Sequence, residues 1–167
     1  GVRGDWAAAP LLRTQPPLIP PSKPPHPAPM TPFSVSERVR WSDCDPMGII
    51  QYATYLRFFE IAEHEMFRAC GLPYEVLRVA GDVWLPRKAL QMEFHSPAHM
   101  DEAVIIESWF SRVGTTSLTL QFEVYREGDR LHRASGTLTV VCVHKDNLKS
   151  YPLPDSVRAA IARYVAA

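Results

Sequence analysis

The chain lacks the features that mark the commoner specialised protein classes. It has no apolar run of about eighteen residues, so no membrane-spanning helix is expected. It has only three cysteines, Cys44, Cys70 and Cys142, widely spaced and odd in number. They suit neither a disulfide scaffold nor a Cys-x-x-Cys metal site, and they fit a reducing compartment. Neither charge is in excess: 18 Lys and Arg face 18 Asp and Glu. A general nucleic-acid binder is therefore not expected, because phosphate contacts draw on a basic surplus. There is no glycine-rich phosphate loop of Walker or dinucleotide spacing and no internal repeat. What remains is 167 residues, 46% hydrophobic and 22% charged, enough for one globular domain.

Proline is the exception to this ordinary composition. Ten of the 16 prolines fall within residues 1–33. They remove backbone donors and favour extended polyproline II, so residues 1–33 read as a disordered tail and 34–167 as the folded domain. The tail carries Arg3, Arg13 and Lys23 against Asp5. Pro17–Pro20 and Pro21–Pro24 match the Pro-x-x-Pro pattern bound by proline-recognition modules. Trp6 to Leu12, broken by Pro10, is too short for a secretion signal. The expectation is that Met30 is the natural start and that residues 1–29 are upstream sequence.

In the body, Ser34 to Trp41 alternates and suggests a strand, broken by Asp43-Cys44-Asp45-Pro46-Met47-Gly48. From Gln51 to Cys70, Tyr52, Tyr55, Phe59, Ala62 and Met66 step by three and four, predicting a buried helix stopped by Gly71. Pro73 to Ala80 suggests a short helix. The period then changes. Trp84–Phe94, Ala103–Val113, Ser117–Arg126 and Leu131–His144 are strand-like, with Glu127-Gly128-Asp129 as a hairpin connection. Asp155 to Val165 predicts a closing helix. One strand, one long helix and four strands imply an α+β fold, an antiparallel sheet packed on the helix. Its open edges imply a dimer.

The best place for chemistry is Asp43 to Tyr52. Two carboxylates end a strand just before a helix whose first N–H groups lack partners and carry partial positive charge. Such donors can stabilise an oxyanion developing on a carbonyl. A nearby carboxylate can attack that carbonyl or deprotonate water. On spacing alone the alternative stands that Asp43 and Asp45 only cap the turn. Cys44 lies between them, but a catalytic thiolate needs a His or cationic neighbour, and none is close in sequence.

Arg40-Trp41-Ser42-Asp43-Cys44-Asp45-Pro46-Met47-Gly48-Ile49-Ile50, followed by Tyr55-Leu56-Arg57-Phe58-Phe59-Glu60, resembles the signature of the 4-hydroxybenzoyl-CoA thioesterase family. The likeness continues through Cys70-Gly71-Leu72-Pro73, Ser96-Pro97-Ala98 and Gly114-Thr115-Thr116-Ser117, covering about residues 34–150. The resemblance implies a hotdog fold: a curved antiparallel sheet of about five strands wrapped around one long helix. It also implies a homodimer or homotetramer, with two subunits joining their sheets and active sites at the interface. The implied activity is hydrolysis of a short-chain or aromatic acyl-CoA, with Asp45 as nucleophile or general base. The backbone N–H of Tyr52 is the implied oxyanion donor, and Gly48 lets the chain approach the substrate. Some branches, such as those associated with the Tol–Pal envelope system, carry His where this chain has Tyr52 and Tyr where it has Trp41.

Met47, Trp84 and Glu60 are expected at the acyl group, and Arg112 is the first choice for a coenzyme A phosphate. Asp43 is expected to orient the loop. Glu60 and His64 have the spacing of a metal pair but no third ligand, so a mutual ion pair or hydrogen bond is expected and no metal. No cofactor is expected, since coenzyme A belongs to the substrate. A cytoplasmic location is the expectation from that substrate and from the lack of a recognisable signal. The rival readings are an acyl-carrier-protein thioesterase and a non-catalytic acyl-CoA-binding protein.

Overall fold

The computed structural model describes residues 30–167, apart from Ala80. The two Pro-x-x-Pro motifs of the tail lie outside the described residues. Five strands form one antiparallel sheet: β1 (Phe33–Arg38), β2 (Arg87–Phe94), β3 (Ala103–Val113), β4 (Ser117–Arg126) and β5 (His132–Val141). Their order is β1-β3-β4-β5-β2. The helices are α1 (Thr54–Ala69), α2 (Tyr74–Val79) and α3 (Asp155–Ile161). The expected α+β architecture is present. Among the described residues no helix is long and apolar enough to cross a membrane.

The alternation read in the sequence becomes the core. Val104, Ile106 and Phe110 of β3, Leu118, Leu120, Phe122 and Val124 of β4, and Ala134, Leu138 and Val140 of β5 share the buried face. Register shifts in β2 opposite β5, and in β3 and β5 opposite β4, mark bulges, which bend strands. Helix α1 lies on that face. Phe59 stacks on Phe122 at 4.7 Å between centroids, and Phe67 meets Phe110 edge-on at 5.5 Å. Burying each such side chain contributes about 1.5–3 kcal/mol. Gly136, paired with Phe122 in the ladder, makes this contact possible. A Cβ there would stand 2.4 Å from the Phe59 ring.

The strands β3 and β4 begin and end where the alternation predicts. Other boundaries move, and β5, expected over Leu131–His144, runs only from His132 to Val141. β1 starts at Phe33 and stops at Arg38, because Trp41–Asp43 winds into a 3-10 turn. The ladder of β2 starts at Arg87; Trp84 joins only through an isolated bridge to Val143, and Pro86 between them has no N–H to donate. The closing helix ends at Ile161, and after a 3-10 turn Val165 bridges to Phe110 at the sheet edge.

Candidate active site

The segment from Arg40 to Tyr52 is built around two aspartates with opposite surroundings. Asp43 is buried, at 5% exposure. Its Oδ2 accepts the Arg40 backbone N–H and the Arg57 guanidinium, each at 2.8 Å. Its carbonyl accepts the Gln51 N–H at 2.8 Å and the Thr54 hydroxyl at 3.2 Å. One residue thus ties the end of β1 to the start of α1. α1 begins at Thr54 rather than Gln51 because the Gln51 carbonyl accepts the Thr54 N–H at 3.0 Å, closing a turn ahead of the helix, while the Gln51 side-chain amide donates to the Cys44 carbonyl at 3.0 Å.

Asp45 opens a tight hairpin. Its N–H donates to the Ile49 carbonyl and its carbonyl accepts the Gly48 N–H, both at 2.9 Å. Pro46 follows with its fixed φ, and Gly48 closes the turn at φ 75°, a left-handed conformation that glycine adopts without strain. The glycine is needed for the turn itself, since a Cβ there would meet nothing within 4 Å. Asp45 Oδ1 accepts the Met47 N–H at 2.8 Å. Its Oδ2 takes no hydrogen bond from a described residue, and the side chain is half-buried. That oxygen is available for a ligand.

The hairpin is braced from behind. Ile50 donates to the Ala98 carbonyl at 2.9 Å, and Ile49 bridges to His99. Buried Arg133 holds that loop through Glu102, with bonds of 2.7 and 2.5 Å, and through Ser96 at 3.0 Å. Tyr55, buried below it, has its phenol pushed up to about 12 by burial. Cys44 donates its thiol to the Arg40 carbonyl at 3.6 Å. Burial, then the carboxylates of Asp43, Asp45 and Asp101, push that thiol above its ordinary value, which opposes thiolate chemistry. At the helix start, the Tyr52 N–H has no acceptor among the described residues, and the Tyr52 side chain is 74% exposed.

The expected site residues divide into groups. Asp45, Met47, Gly48 and Tyr52 share the turn and the helix start. Glu60 lies two turns along α1, on a cavity of about 470 Å³ walled by Leu56, Phe59, Leu90 and Leu138. Trp84 lines a different cavity, of about 450 Å³, and Arg112 lines neither. Both belong to the far end of the sheet. Arg38 pairs with Ala103 at the Asp45 end, whereas Arg112 is nine residues, about 30 Å, further along β3. Met47 and the Tyr52 ring point to solvent. His64 meets the Tyr74 ring edge-on at 4.7 Å; the expected pair with Glu60 is not formed. Among the described residues no group of His, Cys, Asp and Glu is placed to hold a metal.

Sequence reasoning missed a buried polar cluster. Glu63 is 1% exposed on the apolar face of α1. It accepts the Tyr74 hydroxyl through Oε1 and Arg87 Nη2, at 2.7 Å, through Oε2. Burial pushes its carboxyl above the ordinary range, against the pull of Tyr74 and Arg87. The available signal was a lone carboxylate between Phe59, Ala62, Met66 and Phe67, since an unpaired charge is rarely buried.

Comparison with known proteins agrees with this architecture. Residues 39–161 match the thioesterase-like superfamily. The acyl-CoA thioesterase YbgC of Haemophilus influenzae is 29% identical over 128 residues, spanning 77% of this chain and 93% of that protein. The 4-hydroxybenzoyl-CoA thioesterase of a Pseudomonas species is 30% identical over 78 residues, 46% of this chain and 55% of that one. A crystal structure from the thioesterase superfamily of Jannaschia sp. superposes with a TM-score of 0.77 at 29% identity, covering 87% of this chain and 99% of that chain. With its five-stranded antiparallel sheet and long packed helix, this chain belongs to the thioesterase-like superfamily of hotdog proteins.

Proposed function

We propose that this protein is an acyl-CoA thioesterase acting on short-chain or aromatic acyl groups, with Asp45 as its catalytic carboxylate. The observation that carries the reading is the state of Asp45. One oxygen is fixed by the Met47 N–H, the other is open, and the helix start beside it offers the Tyr52 N–H. A thioester carbonyl held by that N–H would place its developing negative charge at the positive end of α1. Asp45 then either attacks the carbonyl carbon or takes a proton from the attacking water. In both routes the C–S bond breaks, coenzyme A leaves as the thiol, and water supplies the oxygen of the free acid. The relatives named as acyl-CoA thioesterases support this reaction class.

The cavity along α1 supports the substrate size. It runs from Leu56 to His64, about 12 Å of helix, with apolar walls and Glu60 on its lining. That length suits a short or aromatic acyl group rather than a long fatty chain. The edge strand supports pairing of two copies. β2 has β5 as its only partner among the described residues, and Leu90 and Phe94 on it are 43% and 53% exposed. Antiparallel β2-to-β2 pairing would bring the Arg87 end of one copy beside the Phe94 end of the other. Trp84 of the second copy would then approach the end of the sheet that holds Asp45.

The test is release of free thiol from acetyl-, butyryl-, hexanoyl-, palmitoyl-, benzoyl-, 4-hydroxybenzoyl- and phenylacetyl-CoA. Hydrolysis concentrated in the short or aromatic members is expected. No release from any of them by folded protein would overturn the reading.

A further inference from the structure

The segment that carries Asp45 has both its feet on one loop, the connection from Ser96 to Glu102 between β2 and β3. At its start, the Val39 N–H donates to the Glu102 carbonyl and the Asp101 N–H to the Val39 carbonyl, each at 2.9 Å. At its end, the Ile50 N–H donates to the Ala98 carbonyl at 2.9 Å, and Ile49 bridges to His99. The loop therefore sets the spacing between Val39 and Ile50, and with it where the hairpin between them projects Asp45. An irregular connection keeps one shape only if it is tied to the rigid elements beside it.

Arg133 makes those ties. Val124 of β4 pairs with Ala134 and Tyr125 with His132, so Arg133 is the extra residue of the β5 bulge. A bulged residue leaves the two-residue alternation, and its side chain is re-aimed. Here the guanidinium goes to the loop. Its Nε donates to Glu102 Oε1 at 2.7 Å and its Nη2 to Oε2 at 2.5 Å, a fork that lysine cannot reproduce. Its Nη1 donates to the Ser96 hydroxyl at 3.0 Å, which donates on to the His132 carbonyl at 2.6 Å. The Arg133 carbonyl accepts the His95 and Ser96 N–H groups at 2.9 and 3.2 Å. One residue thus holds both ends of the loop. The Arg133 and Glu102 side chains are 3% and 10% exposed. An apolar pair of that volume often stabilises a fold as well as a buried ion pair does. Two parallel charge-assisted bonds fix orientation as well as distance.

We propose that Arg133 is a positioning residue for Asp45: through Glu102 and Ser96 it fixes the loop that spaces the two feet of the hairpin. The assignment rests on the reading of Asp45 as the catalytic carboxylate. Arg133 acts through the loop and not on the thioester. Among the described residues, the Asp45 carboxylate is anchored only by the Met47 N–H of its own turn, so its position follows the hairpin backbone. A displacement of about 1 Å at a reacting group costs on the order of a hundredfold in rate. A purely structural role for the pair would change stability and leave the chemical step alone.

The test is single-turnover hydrolysis of an acyl-CoA by the full chain, by Arg133→Met, by Glu102→Gln and by the double variant. Ile161→Ala serves as control, since Ile161 is buried on α3, away from the hairpin. Each single variant should slow the chemical step about 100-fold, with steady-state KM within about threefold of wild type. The double variant should be no slower than the slower single variant, because both act through one ion pair. Ile161→Ala should weaken the fold and keep the rate within about twofold. Exchange of the Ile50 amide hydrogen should be at least about tenfold faster in Glu102→Gln, with that of Leu120 in β4 unchanged. A rate within about threefold of wild type in both single variants, or an equal loss in Ile161→Ala, would overturn the assignment. Should Arg133→Met not fold, the near-isosteric Glu102→Gln decides by the same criteria. If the wild type hydrolyses no thioester, the catalytic reading of Asp45 falls and amide exchange decides on Arg133. Faster exchange at Ile50 in Glu102→Gln would then keep it as the brace of the hairpin, and unchanged exchange would overturn that as well.

Discussion

The hairpin at Asp45 and the cluster at Glu63 each hold a carboxylate near α1, and they hold it in opposite ways. Glu63 is sealed in, with both oxygens taken by Tyr74 and Arg87. Asp45 is half-buried, with one oxygen fixed and one open. A fully partnered buried carboxylate joins elements together: here α1 to α2 and to the start of β2. A carboxylate fixed at one oxygen keeps its orientation and has lone pairs left for a substrate. The same contrast recurs at the hairpin, where buried Asp43 serves as the tie and Asp45 keeps one oxygen open.

Neutralising each carboxylate in turn gives the sharpest break of that comparison. Glu63→Ala should cost about 3 kcal/mol of stability in urea denaturation, because Tyr74 and Arg87 lose a buried partner. Asp45→Asn should leave the denaturation midpoint within experimental scatter. Since burial raises the Glu63 carboxyl in the folded state, the fold binds that proton more tightly than the unfolded chain does. Its contribution is therefore full below the ordinary carboxyl range and is lost as pH rises through the raised value. Glu63→Gln should flatten that part of the stability–pH curve.

Arg57 should give the next effect. It is the only side chain among the described residues that donates to the Asp43 carboxylate. Arg57→Ala should lower kcat about 30-fold with a smaller change in KM, since a loosened hairpin misplaces Asp45 rather than removing a binding contact. Arg57→Lys should recover part of the loss. Gly136→Ala should follow, at about 1–3 kcal/mol in the same denaturation assay, because the added methyl overlaps the Phe59 ring and the neighbouring sheet is backbone. Cys44→Ser should do least. Its thiol is held high by burial and by three carboxylates, so steady-state turnover should stay within about twofold of wild type.

Much of the fold was legible because it is written in local periodicity. The two-residue alternation of β3 and β4 and the three-to-four spacing of α1 each report one buried face. The carboxylate turn was legible because Asp, Pro and Gly at close spacing have few conformations to choose from. What stayed hidden depends on contacts between distant segments. Glu63 finds Tyr74 and Arg87 only once α2 and β2 are in place. Gly136 looks like any strand glycine until Phe59 lies over it. Sequence position did not reveal that Trp84 and Arg112 sit at the opposite end of the sheet from Asp45. The spacing of Glu60 and His64 suggests a pair, but His64 meets the Tyr74 ring edge-on instead.

The measurement closest to the central claim is single-turnover hydrolysis of a good acyl-CoA substrate, with enzyme in excess, by wild type and Asp45→Asn. It separates the chemical step from substrate binding and product release. Loss of a nucleophile or general base should slow that step by about a thousandfold, with the acyl-CoA still bound. A rate within tenfold of wild type would show that the open carboxylate of the hairpin is not where the chemistry happens.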